Sequence, residues 1–293
     1  MSAEILHPSS ISEALAALTA YGDEARPLAG GTALVLLIRQ GLIAPRILIC
    51  LEEIPELHGI REVTGGLWIG PMVRLQEVTR ALAVRRRLPV LAAACSEVGN
   101  LRIRNQATLG GNLAEADYAS DPPIALMVLE ACIEAQGPKG KREIPIADFF
   151  HGPYATALAP GELISGIRIP DPPSGARMAY LKFRTRSAED RPCVGVAALA
   201  VFVEGICTDL RVAVGAACEI PQRLPDLERE AIGTSLSDPI IRRIAAGYAE
   251  RIETLGDLRG SAAYRKAMIE VHVRRALKEV RDGYGPLHPD AGR

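Results

Sequence analysis

Apolar residues recur at helical spacing near the N-terminus, and short apolar runs separated by Gly and Pro follow through the middle of the chain. The first helix is predicted to begin after Ser10, because Ser10 and Glu13 form the Ser-x-x-Glu pattern of a capping box, and to end at Gly22. Further patterns predict a strand end at 27–29, a helix at 33–40, a strand at 46–51, a hairpin within 60–70, helices at about 75–84, 89–98 and 122–128, and strands at 129–136 and 161–170.

The segment 170–175, PDPPSG, is predicted to be a linker. Beyond it we expect strands at 180–184, 194–203 and 206–216, with Glu204 and Gly205 as a hairpin turn, and amphipathic helices at 240–255 and 262–280. Strands followed by helices are typical of an α+β domain. The predicted organisation is one domain at 1–173, a smaller one at 177–281, and a flexible Gly/Pro-rich tail at 282–293.

The stretch 99–121 differs from its surroundings, because it is polar and rich in Gly and Asn. We predict a long ordered loop here, and ordered loops of this length are usually functional.

Composition narrows the class of protein. The 293 residues are 48% hydrophobic, and 34 basic against 35 acidic residues leave a net charge of −1, which argues against a nucleic-acid-binding or membrane-surface protein. None of the six cysteines stands in a C-x-x-C pair, which argues against a zinc ribbon or an iron–sulfur cluster in this chain. The N-terminus has no signal-peptide pattern, and the longest uncharged apolar run is too short to span a membrane, so we expect a cytoplasmic protein.

The first candidate for chemistry is the segment 28–33, LAGGTA. A strand, a Gly-Gly turn and a helix N-terminus bring unpaired backbone N–H groups close to an anion such as a phosphate. The alternative is a purely structural turn capped by Thr32.

The second candidate joins Arg104 and Asn105 to the motif 108–112, TLGGN, and to Asp121. Its close-approach glycines and short polar side chains suit a ligand with phosphates, hydroxyls and a polar ring. The alternative is a loop that satisfies its own backbone. Two such segments together fit the two ends of a dinucleotide, and no P-loop, Rossmann, G-x-S-x-G, H-E-x-x-H or kinase motif competes with this interpretation.

The motifs at 29–32, 103–105 and 108–112, with Asp121, resemble the FAD-binding (medium) subunit of the molybdenum hydroxylases, the carbon monoxide dehydrogenase and xanthine dehydrogenase family. The resemblance covers about residues 4–280. It implies an α+β fold: a two-part FAD-binding domain of the PCMH type, followed by a smaller C-terminal domain of sheet and helices like that of the carbon monoxide dehydrogenase flavoprotein.

The resemblance also implies residue roles. Residues 27–34 would surround the FAD pyrophosphate, the second segment would hold FAD through Thr108, Asn112 and Asp121, and Leu163 and Lys182 match positions that touch FAD. The expected FAD-binding residues are Pro27, Leu28, Ala29, Gly30, Gly31, Thr32, Ala33, Leu34, Val98, Arg104, Asn105, Thr108, Gly110, Gly111, Asn112, Asp121, Leu163 and Lys182. We expect no general acid or base and no metal ligand in this chain.

Some positions depart from the family pattern or have a structural alternative. Ala33 stands where Asp or Ser is common, Ala107 where Gly is usual, and 117–118 where a small residue and Pro are common. The alternative for Lys182 is a surface lysine on a strand, and the alternative for Arg104 is a structural clasp of the loop.

The implied function is electron transfer as the flavoprotein subunit of an oxidoreductase. A large partner subunit would carry the molybdenum cofactor and a small one the 2Fe–2S clusters, in a heterotrimer that can dimerise. FAD would pass electrons to an external acceptor such as NAD, a quinone or oxygen. Two alternatives are a flavin-free scaffold subunit of such a complex and a stand-alone NADH-dependent flavin diaphorase.

Overall fold

The computed structural model describes residues 3–283. The N-terminal part opens with a small parallel sheet in the order β1-β3-β2, with one helix between each pair of consecutive strands. Its elements are β1 (Glu4–Leu6), α1 (Ile11–Tyr21), β2 (Ala25–Leu28), α2 (Leu34–Arg39) and β3 (Ile47–Cys50).

A five-stranded antiparallel sheet in the order β4-β5-β10-β6-β7, a two-stranded sheet of β8 and β9, and a group of short helices complete this part. The elements are β4 (Ile60–Val63), β5 (Gly66–Ile69), α3 (Leu75–Arg80), α4 (Leu82–Arg87), α5 (Pro89–Ser96), α6 (Leu101–Arg104), α7 (Leu109–Glu115), α8 (Pro122–Val128), β6 (Cys132–Gly137), β7 (Gly140–Pro145), β8 (Phe150–Gly152), β9 (Ala155–Thr156) and β10 (Leu163–Pro170).

The C-terminal part is a four-stranded antiparallel sheet in the order β11-β12-β13-β14, followed by helices. Its elements are β11 (Arg177–Phe183), β12 (Val194–Val203), β13 (Ile206–Gly215), β14 (Gln222–Arg223), α9 (Pro225–Arg229), α10 (Asp238–Arg251) and α11 (Ala262–Asp282). Glu204 and Gly205 both have positive φ, of 50° and 80°, as a tight hairpin turn requires. These elements confirm the predicted α+β class.

Both faces of the C-terminal sheet are buried. One face packs on α5 and α8 and shares a core with them, and the other packs on α10 and α11. A Cβ atom on Gly215 would lie 2.7 Å from the Ile124 side chain, so the missing side chain lets α8 lie close to the sheet. The two parts therefore meet through a continuous apolar contact.

A buried arginine reinforces this junction. Arg265 donates hydrogen bonds to the carbonyl oxygens of Cys193 and Ala216 and to the Asp257 carboxylate. Asp257 also accepts from the Tyr118 hydroxyl at 2.7 Å, which links it to the N-terminal part. Burial alone would raise the pKa of Asp257, but these hydrogen bonds outweigh it and hold the pKa well below its usual range.

Most predicted elements are present, and the first helix begins and ends as predicted. The Ser10 hydroxyl accepts from the Glu13 N–H at 3.2 Å, but the Glu13 carboxylate accepts from the Ser9 N–H, one residue further back than in a capping box. The strand predicted at 129–136 begins at Cys132, because Glu130 adopts a positive φ of 53°. The helix predicted at 75–84 is divided at Ala81, whose ψ of 122° is not helical.

The prediction of one long loop over 99–121 is wrong, because the segment contains α6 and α7. Side chains cap both helices: Asn100 accepts from the Ile103 N–H at 3.1 Å, and Thr108 accepts from the Gly111 N–H at 3.0 Å. Caps thus compensate for the low helix propensity of the glycines.

Residues 171–176 connect β10 to β11 where the linker is predicted. The predicted domain bounds, 1–173 and 177–281, stay a prediction. The tail predicted at 282–293 lies outside the described residues, except for Asp282, which ends α11, and Gly283, which caps it with a φ of 83°.

Candidate functional site

A cavity of about 520 Å³ lies where the parallel sheet, the second glycine segment and β11 meet. Most of the site residues predicted from the sequence line it. They are Pro27, Ala29, Gly30, Gly31, Thr32, Ala33, Leu34, Val98, Thr108, Gly110, Gly111, Asn112, Asp121, Leu163 and Lys182. The fold thus brings both glycine segments to one cavity.

The first glycine segment connects β2 to α2. Gly31 has a φ of 69°, which favours glycine. A Cβ atom on Gly30 would lie 1.9 Å from the carbonyl oxygen of Gln106, so the first segment packs directly on the main chain that precedes the second.

The backbone N–H groups of residues 30–34 define the chemistry of this wall. Among the described residues, none of these five groups has a hydrogen-bond acceptor. Ala33 at the start of α2 also leaves the helix without a side-chain cap. A cavity lined by unpaired backbone donors suits an anionic group such as a pyrophosphate.

In the second segment, the N–H groups of both glycines have hydrogen-bond partners. The Gly110 N–H donates to the Pro71 carbonyl at 2.8 Å, and the Gly111 N–H donates to the Thr108 hydroxyl. A Cβ atom on Gly110 would lie 2.3 Å from Pro71 Cβ, so this glycine lets two chain segments touch. The glycine pair of the second segment therefore contributes its surface rather than free N–H groups, next to the Asn112 side chain.

Three predicted residues lie outside the cavity lining: Leu28, Arg104 and Asn105. The Arg104 guanidinium donates to the carbonyl oxygens of Val98 and Gly99, both at 3.1 Å, and to Gln76 Oε1. These contacts support the alternative of a structural clasp, and the FAD-binding role of Arg104 stays a prediction. Asn105 lines a separate surface pocket with Arg74 and Arg80.

Lys182 is buried in the cavity wall. Its side chain is 2% exposed, and its Nζ lies 2.9 Å from Asp121 Oδ2 and donates to the Glu97 carbonyl at 2.6 Å. Asp121 also accepts a hydrogen bond from the Tyr180 hydroxyl. The alternative of a surface lysine is therefore wrong.

These contacts shift the ionisation of the cluster. Burial raises the pKa of Asp121 to about 6, although the Lys182 charge and the Tyr180 hydrogen bond act in the opposite direction. Burial also raises the pKa of Tyr180 well above its usual value, with the Asp121 charge adding to the shift. Tyr180 is therefore a neutral donor at ordinary pH.

Sequence reasoning missed several residues that line the cavity. The Asp117 carboxylate lies 2.8 Å from an Arg191 nitrogen, and Glu189 accepts from the Asn100 side chain at 3.0 Å. Further lining residues come from separate segments: Pro71, Met72, Ile103, Leu158, Glu162, Ile164 and Asp190. No local motif marks these positions. Asp190 could have been found from the sequence, because it follows the predicted site residue Lys182 closely in the chain.

Comparison with known proteins places this architecture in a defined class. Residues 1–172 match the family model described as the FAD binding domain in molybdopterin dehydrogenase, and residues 179–280 match the CO dehydrogenase flavoprotein C-terminal domain. The nicotine 6-hydroxylase medium subunit of Paenarthrobacter nicotinovorans is 34% identical, over 93% of this chain and 95% of that protein. The carbon monoxide dehydrogenase medium chain of Afipia carboxidovorans is also 34% identical, over 94% and 95% of the two chains.

The fold agrees with this similarity. A chain of CO dehydrogenase from Oligotropha carboxidovorans superposes with a TM-score of 0.94 at 32% identity, over 97% of this chain and 99% of that one. The class is thus that of two-part flavoproteins in molybdenum-containing oxidoreductases. This chain belongs to the family of FAD-binding medium subunits of molybdenum hydroxylases, and its cofactor is FAD.

The described residues fit this cofactor. The five residues whose N–H groups are unpaired line the cavity, and so does Lys182 with its buried ammonium. Ala33 and Ala107, which depart from the family pattern, both line the cavity, and their small side chains leave room in it. Within residues 3–283, no helix has both the length and the apolar character that crossing a bilayer requires.

Proposed function

We propose that this chain holds FAD in the cavity and passes electrons through it within a molybdenum hydroxylase complex. The observation that carries the proposal is the joint lining of one cavity by both glycine segments, with the unpaired N–H groups of residues 30–34 in its wall. An anionic dinucleotide needs both features, since its pyrophosphate requires donors and its two ends require an extended site.

The individual residues bind and orient the cofactor. The donors of residues 30–34 hold the pyrophosphate, Thr108 and Asn112 border the second segment, and Val98 and Leu163 supply apolar contact. Bound FAD supplies the capacity to accept and release electrons, and the protein supplies position and electrostatics. The arrangement assigns no proton-transfer role to a side chain in the wall.

Electrons are proposed to arrive from 2Fe–2S clusters of a small partner subunit and to originate at a molybdenum cofactor in a large one. Relatives of this chain are named as medium subunits or chains, which supports both a larger and a smaller partner subunit. The six cysteines are scattered, in keeping with clusters held by another chain. NAD, a quinone or oxygen would take the electrons from FAD.

The test compares FAD-loaded and FAD-depleted forms of the purified complex. Its iron–sulfur clusters are reduced with limiting dithionite, and NAD, a quinone analogue or oxygen is then added separately while cluster absorption is followed. We expect rapid reoxidation by one acceptor only when FAD is bound, and restoration when FAD is added back. Equal reoxidation rates with and without FAD would refute the electron-transfer role. A chain that carries FAD and oxidises NADH without partners would instead support the diaphorase alternative.

A further inference from the structure

A buried polar cluster forms the cavity wall where β11 meets the N-terminal part. Lys182 and Asp121 are only 2% and 4% exposed, and their charged atoms lie 2.9 Å apart. Tyr180 donates to the other carboxylate oxygen, and the Glu97 carbonyl accepts from Lys182. The ion pair is therefore almost fully buried, and hydrogen bonds hold both side chains in place.

The hydrogen-bond inventory separates the roles of the two charged residues. An ammonium has three N–H donors, and Lys182 uses one on Asp121 and one on Glu97. Its third donor has no described partner, and Lys182 lines the cavity. Both oxygens of Asp121 are engaged by Lys182 and Tyr180. Lys182 thus retains a donor for the cofactor, and Asp121 holds the Lys182 ammonium in place.

We propose that Asp121 is a positioning residue whose protonation changes the charge that this wall presents to FAD. The inference rests on the proposed FAD site. When Asp121 is ionised, it fixes Lys182 and the pair is neutral overall. When Asp121 is protonated, the ammonium charge is uncompensated and the wall carries one positive charge.

Within this cluster, burial makes Asp121 the group that changes charge near neutral pH. Burial raises its pKa to about 6. On α5, burial raises the pKa of the Cys95 thiol far above neutrality, with the Asp121 charge adding to the shift. On β11, Tyr180 stays neutral for the same two reasons.

Two charged neighbours of the cluster are paired. Glu97, which follows α5, forms an ion pair with Arg184 at 2.6 Å, and Asp117 pairs with Arg191. Three further acidic residues line the cavity without an ion pair among the described residues: Glu115, whose pKa burial raises, Glu189 and Asp190. Within the cluster that contains Lys182, the net charge follows the state of Asp121.

The consequence is a pH-dependent contribution to the reduction potential of bound FAD. Two-electron reduction with uptake of one proton leaves the flavin with one negative charge, so a positive wall favours this reduced form. Asp121→Asn keeps the shape of the side chain but makes the uncompensated charge permanent. The variant should match the wild type in acid and diverge from it as the wild-type carboxyl ionises.

The experiment measures the reduction potential of FAD on the full chain by equilibration with redox dyes, from about pH 5 to about pH 8. At the alkaline end we expect Asp121→Asn to favour reduced FAD at least tenfold over wild type, which is about 30 mV for a two-electron couple. Tyr180→Phe removes a hydrogen bond that lowers the pKa of Asp121, so its ionisation should move to higher pH. Asp148→Asn, an exposed carboxylate outside the cavity lining, should follow the wild type.

A constant offset between Asp121→Asn and wild type, or no offset, would overturn the inference. If Asp121→Asn does not fold, an inflection in the wild-type potential that Tyr180→Phe leaves in place would overturn it equally. Wild-type chain that binds no FAD would refute the proposed function, and this inference with it. Wild-type chain that binds FAD without the pH-dependent difference would refute the inference alone.

Discussion

Gly30 packs on the main chain at Gln106, where a Cβ atom on Gly30 would lie 1.9 Å from the carbonyl oxygen. The contact joins the first glycine segment to the chain that leads into the second. The two segments are far apart in sequence, yet they form one cavity wall. The shape of the cavity wall and the packing of the two segments therefore depend on the same glycine.

Gly30→Ala should disrupt this contact, because backbone atoms cannot withdraw as a flexible side chain can. We expect a loss of about 1–3 kcal/mol in the free energy of unfolding and at least a tenfold loss of FAD affinity. Urea denaturation and titration with FAD measure the two effects. Gly152→Ala is the control, since no atom lies within 4 Å of its added Cβ. Equal stabilities and equal FAD affinities of the two variants would contradict a close contact at Gly30.

Thr32→Glu places a negative charge beside the unpaired N–H groups of residues 30–34. It should weaken FAD binding at least tenfold, because the new carboxylate competes with the pyrophosphate for these donors and repels it. Thr32→Gln has nearly the same size without the charge and should retain most of the affinity. Fluorescence titration with FAD measures both constants. If Thr32→Gln and Thr32→Glu weaken FAD binding equally, the loss does not come from charge repulsion, and the result would contradict a pyrophosphate bound at this turn.

Arg104→Ala removes the clasp that holds the turn before α6. Loss of its hydrogen bonds to Val98, Gly99 and Gln76 should lower the free energy of unfolding by about 2 kcal/mol. Arg102→Ala, two residues away on the same helix and exposed, should change stability little. Chemical denaturation of both variants distinguishes them. A loss of FAD affinity without any loss of stability would instead indicate that Arg104 contacts the cofactor.

Asp257→Asn leaves the buried Arg265 guanidinium without its charge partner. At neutral pH this should cost about 3–5 kcal/mol in the free energy of unfolding. The pKa of Asp257 is lower in the folded state, so its stabilisation is complete above the unfolded pKa of about 4 and is lost as the pH falls through the folded value. The difference between wild type and variant should therefore narrow in acid.

Thermal or urea unfolding at several pH values tests this sign. Asp226→Asn breaks an exposed ion pair with Arg251 and should have little effect. A penalty for Asp257→Asn that is independent of pH would show that the carboxylate charge does not support Arg265.

Local patterns predict much of this structure. The Ser10 cap, the Glu204-Gly205 hairpin and the two Gly-Gly segments each depend on neighbouring residues, so the sequence alone can reveal them. The helices α6 and α7 were missed because glycines and asparagines suggest a loop, whereas side-chain caps and packing on Pro71 stabilise helix here.

Contacts between distant segments account for the rest. The sequence shows Lys182 on a strand, but its pairing with Asp121, 61 positions away, depends on how the C-terminal sheet docks on α5 and α8. The same docking brings Arg191 to Asp117 in the cavity lining. These pairings result from the tertiary fold, and no sequence motif in either segment predicts them.

The most direct test of the account is the flavin content of the purified full-length chain. The chain is incubated with FAD, freed of unbound cofactor and denatured in acid, and the released flavin is identified by chromatography. We predict the visible absorption of oxidised flavin before denaturation and release of FAD in an amount equal to that of the chain. A chain that stays colourless and releases no FAD after this incubation would contradict the assignment of the cavity.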